Sequence, residues 1–131
     1  MKDKLYHNPK LEVRKSFIEG YGVFAKEDIK RGELLEECYY CELEGYIDDD
    51  NFHRYIYSFF DGELPNGQRR EHHCIVFGYC SLYNSANESE DINVRWKFKK
   101  HISYKLFVSL AIRDIKKGRR TFTRVFQKIG Y

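Results

Sequence analysis

No apolar run in this sequence approaches the roughly 20 residues that span a bilayer, and the first ten residues, Met1 to Lys10, are polar rather than signal-like. A cytosolic protein is the expectation, or one working in the host cell interior if it is viral or a secreted effector. The chain also lacks a large charge of either sign. Its net charge is +3, and much of the positive charge gathers near the end, at Lys116, Lys117, Arg119, Arg120, Arg124 and Lys128. A solvated tail accounts for such a patch more simply than a nucleic-acid or membrane-surface role. Cysteine is scarce, with four residues, and Cys38-Tyr39-Tyr40-Cys41 is the only paired turn. A tetrahedral zinc site of the usual kind wants a second, regularly spaced pair, and His72-His73-Cys74 with Cys80 does not supply it. Cys38 and Cys41 moreover read as strand residues three apart, which point to opposite faces. Buried free thiols are expected, and no metal.

What the sequence does have is a large stock of rings. Aromatics make up 17% of 131 residues and apolar residues 42%, enough to build one domain around one core and to exclude disorder. Leu11-Glu12-Val13-Arg14 alternates as a short strand, and Tyr21 to Ala25 reads as its return partner. Between them Gly20-Tyr21-Gly22 lets the backbone turn tightly and approach a ligand more closely than a chain bearing Cβ atoms can. Leu34 to Leu43 reads as one longer strand. Asp48-Asp49-Asp50 reads as a solvated turn and helix cap rather than a calcium loop. Phe52, Tyr55, Ile56, Phe59 and Phe60 recur at spacings of three and four, which predicts a short amphipathic helix over 52–60. Gly62 to Arg70, with Pro65 and Asn66-Gly67, is expected to be a surface loop. Cys74 to Tyr83 returns to apolar strand character. Val94, Trp96 and Phe98 alternate with Arg95, Lys97 and Lys99 as a half-buried strand, and Tyr104 to Ile112 forms another. His101 between them is a lone loop histidine.

The stretch Phe17 to Ala25, with Ile29-Lys30-Arg31-Gly32-Glu33 and Leu34 to Cys38 behind it, resembles the opening of the SET-domain family of protein-lysine methyltransferases, whose pattern is G-x-G-V-F-A, then I-x-x-G-E, then a strand. A second block, Gly78 to Ala86, resembles the family's G-x-x-x-x-x-N-H-S, with Asn84 in the asparagine's place, Ser85 in the histidine's, and Ile92-Asn93 after a lengthened gap. The likeness spans about residues 11 to 118 and is nearest to minimal viral and bacterial members. It implies a mainly β fold of several small antiparallel sheets with short helices and a knot-like C-terminal crossing. Residues 1–10 would be an N-terminal extension, 11–118 the core and 119–131 an aberrant tail. The implied cofactor is S-adenosyl-L-methionine, held by Gly20, Tyr21, Gly22, Asn84 and Ser85, and the implied partner is a protein carrying a target lysine. Tyr55, in Arg54-Tyr55-Ile56-Tyr57-Ser58, matches a tyrosine lining the family's lysine channel, and Tyr21 joins it there. Small viral relatives suggest a homodimer. The cysteine triad that follows the catalytic region in many members is missing.

The third family block is broken. Ala111-Ile112-Arg113-Asp114-Ile115-Lys116-Lys117-Gly118 echoes Ala25 to Gly32 in register, two copies of one turn type. The family continues with G-E-E-L and, after about three residues, its central tyrosine, whereas this chain continues Arg119-Arg120-Thr121-Phe122-Thr123-Arg124 and puts Val125 in the tyrosine's place. A slip of reading frame explains the simultaneous loss. Gly118 to Tyr131 has a permitted coding sequence that, with one A removed after the first codon, reads G-E-E-L-L-R-E-Y-F-K-K-L-D, tyrosine falling at position 125. CGN codons at Arg119 or Arg120 would rule that out. The restored tail carries four acidic and three basic residues, so the basic end is weak grounds for a nucleic-acid partner. Two functions stay open: a methyltransferase impaired at its end, or an inactive relative that binds cofactor or peptide without turnover.

Overall fold

The first two strands form a ribbon. In the computed structural model, which describes residues 4–15, 20–45, 49–53, 55–85, 89–100 and 105–123, β1 (Leu11–Lys15) pairs antiparallel with β2 (Tyr21–Ala25), Val13 opposite Val23. Alternation works as expected, for Leu11, Val23 and Ala25 are buried while Arg14 and Lys15 are exposed. Next come β3 (Leu34–Cys38), β4 (Tyr40–Leu43), a single helical turn α1 (Asp50–His53), β5 (Ile56–Glu63) and β6 (Arg69–Val76). The chain continues through a 3-10 turn at Tyr79–Leu82, β7 (Asn84–Ser85), a second 3-10 turn at Ser89–Asp91, β8 (Val94–Lys100), β9 (Lys105–Ala111) and β10 (Phe122–Thr123). Beside the ribbon stand a five-stranded sheet in the order β3-β9-β8-β10-β7 and a three-stranded sheet in the order β4-β6-β5. The fold is the expected set of small, mostly antiparallel sheets.

Four local expectations are corrected. The long strand over Leu34 to Leu43 is two strands, because the chain leaves β9 at Cys38 and takes up β6 from Tyr40, changing sheets at Tyr39. The helix expected over 52–60 is a single turn, Asp50–His53, capped at its start where Asp49 Oδ1 accepts the Phe52 N–H (3.3 Å). From Ile56 the chain is strand instead, since Ile56, Tyr57 and Phe59 are good strand formers and find Ile75, Cys74 and His72 across the ladder. Helical spacing in a short apolar run yields here to cross-strand pairing. The loop over Gly62 to Arg70 shrinks to the hairpin turn between Glu63 and Arg69, where Leu64 N–H donates to Gln68 O (2.7 Å). The apolar strand over Cys74 to Tyr83 begins earlier, at Arg69, and stops at Val76. Phe17 to Glu19, Asp48, Arg54, Ala86 to Glu88, His101, Tyr104 and everything from Arg124 onward, Val125 included, lie outside the described residues.

Two clusters make the core. Leu11, Val23, Ala25, Ile29, Leu35, Val94, Ala111 and Ile115 pack between the ribbon and the five-stranded sheet. Cys38, Cys74, Val76, Cys80 and Phe107 form the second, walled by Tyr40, Tyr57, Phe59, Trp96 and Phe98. Phe107 is its centre, fully buried, with ring centroids of Tyr57, Phe98 and Trp96 at 4.9, 5.4 and 5.5 Å.

The last described strand is threaded. β10 runs parallel to both β7 and β8 and lies between them, although β7 and β8 follow one another in the chain. The C-terminal segment is therefore inserted between two strands that are neighbours in the chain, and Asn93, just ahead of β8, fastens it there, its Nδ2–H donating to Arg120 O (2.9 Å). This is the knot-like crossing, a rare exception to unthreaded chains. No helix among the described residues is long and apolar enough to cross a membrane.

Two stability predictions follow from this packing. Phe107→Ala should lower the unfolding free energy by ~3–5 kcal/mol, read by urea denaturation. Glu33 accepts the Lys30 N–H (3.0 Å) and pairs with Lys10 Nζ (2.9 Å), contacts that lower its pKa to about 2 from 4.5. A carboxylate depressed in the folded state contributes stability above its unfolded value and loses it as pH falls. Unfolding at stepped pH should show a loss between about pH 4.5 and 2, on the order of 1 kcal/mol after solvent screening, that Glu33→Gln abolishes.

Candidate functional site

Gly20 and Tyr21 open β2. Gly20 adopts φ +54°, and no atom lies within 4 Å of where its Cβ would stand, so the backbone here borders open space. Tyr21 is 62% exposed beside it, and Gly22 lies opposite Arg14 in the ribbon. Farther along β2 the C-terminal segment takes over as neighbour. Ala25 N–H donates to Arg119 O (3.0 Å), Phe24 bridges Arg120, and Thr121 N–H donates to Val23 O (2.9 Å). The next residue, Phe122, pairs with Asn84, and Thr123 with Ser85. One short stretch of chain thus touches the glycine-flanked strand on one side and the asparagine turn on the other, and brings the two together. Tyr79, Leu82 and Tyr83, just ahead of Asn84, also pack on the cluster that holds Val23 and Ala25.

Tyr55 is carried on a different sheet. It precedes β5, is 39% exposed and donates its N–H to Phe52 O (3.0 Å). Its neighbour Tyr57 anchors that sheet to the asparagine region, the phenol donating to Cys80 O (2.6 Å) in the 3-10 turn. The structure brings the Val23–Ala25 end of β2 and the Asn84–Ser85 turn to one C-terminal segment, with Gly20, Tyr21 and Gly22 just ahead on the same chain, while Tyr55 stands before β5 on another sheet, whose Tyr57 reaches the 3-10 turn ahead of Asn84.

Sequence reasoning missed the polar girder beneath the site. Glu36 is 2% exposed and accepts from Tyr83 Oη (2.8 Å) and Tyr79 N–H (3.0 Å), while Tyr83 Oη also meets Ser109 Oγ (3.1 Å). The signal was a Glu36-Glu37 pair inside an apolar strand, where one of two adjacent carboxylates must face inward. Burial, then the nearby Glu36 carboxylate, pushes the Tyr83 phenol well up, and burial, then Cys80, does the same for Tyr57. Both phenols stay neutral at physiological pH. They are hydrogen-bond donors, not bases.

A sequence profile described as "SET domain" matches residues 20–120. No curated protein matches. Among solved structures, the chain is similar to a crystal structure of a Plasmodium falciparum protein described as a candidate histone methyltransferase, with a TM-score of 0.67 at 23% identity, covering 92% of this chain and 96% of that one. At that identity the likeness speaks for the fold. The profile runs from the opening of β2 through the asparagine turn to Arg120, well over half of the chain, so the chain belongs to the SET-domain family.

Proposed function

We propose that this chain is an S-adenosyl-L-methionine-dependent protein-lysine N-methyltransferase of SET type whose turnover is impaired because Val125 stands at the position of the family's central tyrosine. The observation that carries the reading is the junction of β2 with the Asn84–Ser85 turn through Thr121–Thr123. The fit to the cofactor rests on Gly20, whose positive φ turns bare backbone toward open space. Gly20, Tyr21, Gly22, Asn84 and Ser85 would hold the cofactor, and Ser85 leaves only backbone contact where the family has an imidazole. When bound, the cofactor supplies a methyl group on a sulfonium, a carbon already activated for displacement.

The residues of this chain then have three tasks. A lysine amine with a free pKa of about 10.4 must lose a proton before it attacks, which a dry aromatic channel favours by disfavouring the ammonium. Tyr21 and Tyr55 would line that channel and orient the amine. The remaining task is alignment of amine and methyl, supported by a hydroxyl near the reacting atoms. Val125 has no polar atom to give. A binding module without turnover is the second reading, and Val125 is the observation that favours it. The substrate is a protein with an accessible lysine in either case, and the basic end of the chain does not point to nucleic acid.

Incubation with labelled cofactor and mixed protein substrates, with cofactor binding measured in parallel by calorimetry, tests the reading. The chain should bind cofactor yet methylate on the order of a hundredfold more slowly than a version carrying the tail G-E-E-L-L-R-E-Y-F-K-K-L-D from Gly118. Equal rates would remove the role assigned to the tail. Asn84→Ala should weaken cofactor binding about tenfold. In the restored chain, Tyr55→Ala should lower methylation while leaving cofactor affinity unchanged, and parallel loss of both would move Tyr55 out of the lysine channel.

A further inference from the structure

The second core cluster contains a group of donors that the methyl-transfer reading does not use. Glu36 and Cys38 lie two residues apart on β3 and so share a face, and Cys80 reaches them from the 3-10 turn at Tyr79–Leu82. All three are buried, at 2%, 2% and 1% exposure, and one ligand atom from each lies within 4.8 Å of the other two. Two of the three spacings are close to those of a coordination sphere. Cys38 Sγ and Cys80 Sγ are 3.7 Å apart, and Cys38 Sγ is 3.8 Å from Glu36 Oε2. A tetrahedral zinc ion with Zn–S of about 2.3 Å and Zn–O of about 2.0 Å sets its sulfurs ~3.8 Å apart and its sulfur and oxygen ~3.5 Å apart.

A histidine stands at the rim, beside the carboxylate and outside the cluster itself. His7 Nδ1 is 3.5 Å from Glu36 Oε2, on a side chain 42% exposed, in the N-terminal segment that bridges β3 at Glu36. We propose that Glu36, Cys38 and Cys80 form a three-ligand binding site for a thiophilic divalent metal ion of the zinc class, its fourth position left to water, so that the absence of metal expected from the cysteine spacing does not hold. The sequence concealed the site because its ligands come from two segments, 42 residues apart at Cys38 and Cys80, and the visible pair, Cys38 with Cys41, splits, Cys41 being exposed on β4.

Three further features fit. Gly78 is extended, at φ 165°, so its backbone conformation does not ask for glycine. Proximity does, for a Cβ there would stand 2.6 Å from Cys38 Sγ and 2.9 Å from Glu36 Oε2. The outer contacts that orient ligands are also present. Tyr83 Oη holds Glu36 Oε1, the Tyr79 N–H holds Oε2 on the side that faces Cys38, and Tyr57 Oη holds the Cys80 carbonyl. Lastly, His7, which stands against Glu36, is itself 42% exposed, so the carboxylate side of the cluster is the side nearest solvent. On binding, each cysteine would release its thiol proton to solvent, and two thiolates and a carboxylate would take up three coordination positions, with water in the fourth. The ion would pin β3 to the turn that leads into Asn84.

The test uses the full chain, reduced and stripped with a chelator, and Co2+ as the probe. One equivalent should bind with sulfur-to-cobalt charge-transfer absorption and tetrahedral visible bands, both erased by Zn2+. Cys38→Ser and Cys80→Ser should each weaken binding at least about tenfold and diminish the charge-transfer band, while Cys41→Ser leaves it intact. Should the cysteine variants fail to fold, zinc should protect Cys38 and Cys80 from alkylation in the unsubstituted chain, read by peptide mass spectrometry. Absence of the charge-transfer band in the unsubstituted chain, its loss with Cys41→Ser, or alkylation of Cys38 and Cys80 unchanged by zinc would each overturn the site. None of these readouts depends on methylation.

Discussion

Two nearly identical turns clasp each other, and the placement of every other element near the site depends on that clasp. Ile29 and Ile115 exchange both backbone hydrogen bonds, at 2.8 and 2.7 Å, and both side chains are buried between the sheets. Gly32 N–H donates to Ala111 O, and Gly118 N–H donates to Ala25 O, so each turn closes onto the residue that opens the other. The aspartates repeat the exchange. Asp28 Oδ1 accepts the Lys117 N–H and Asp114 Oδ1 accepts the Arg31 N–H, each at 2.8 Å. The two copies of the A-x-x-D-I-K motif in the sequence are the two halves of this local pseudo-twofold. A turn satisfied by its own copy leaves few backbone groups unpaired in a crowded region, and such groups are costly to bury.

The clasp sets direction as well as position. Because Gly118 is tied to Ala25, the chain leaves the second turn running antiparallel to β2, through Arg119 and Thr121, and reaches Asn84 one residue later. Threading between β7 and β8 follows from that heading. Thr121 is fully buried, and its hydroxyl donates to Val23 O (3.2 Å), which satisfies a polar group in a place otherwise lined by aliphatic side chains.

Legibility of the fold in the sequence followed the range of the interaction. The ribbon of β1 and β2 and the alternating β8 could be read, since each is decided by which of two faces a residue takes. The break at Tyr39 could not, because both halves are apolar and only the identity of the partner strands, β9 and β6, divides them. The same holds for Phe59, whose helical spacing from Phe52 and Tyr55 was overruled by stacking on His72 (4.9 Å) across the ladder. At the site, glycine spacing and Asn84 were visible as a resemblance. Glu36, Tyr83 and Ser109 were not, for they lie 26 to 73 positions apart and no local pattern unites them.

The same distinction explains how the C-terminal segment keeps its course despite losing the family's signature. Its pairings with Val23, Ala25, Asn84 and Ser85 are made by backbone groups, which any residue except proline supplies. Arg119, Arg120 and Thr121 in place of two glutamates and a leucine therefore leave the ladder standing, with Thr121 Oγ1 finding an acceptor of its own. Alignment of a reacting amine is a different demand, met by one hydroxyl at one position rather than by the main chain. A fold held by backbone ladders tolerates a wholesale change of side chains over a few residues, while chemistry that rests on a single oxygen does not. Under the proposed function, the scaffold of the site and the chemistry of the site part at Gly118.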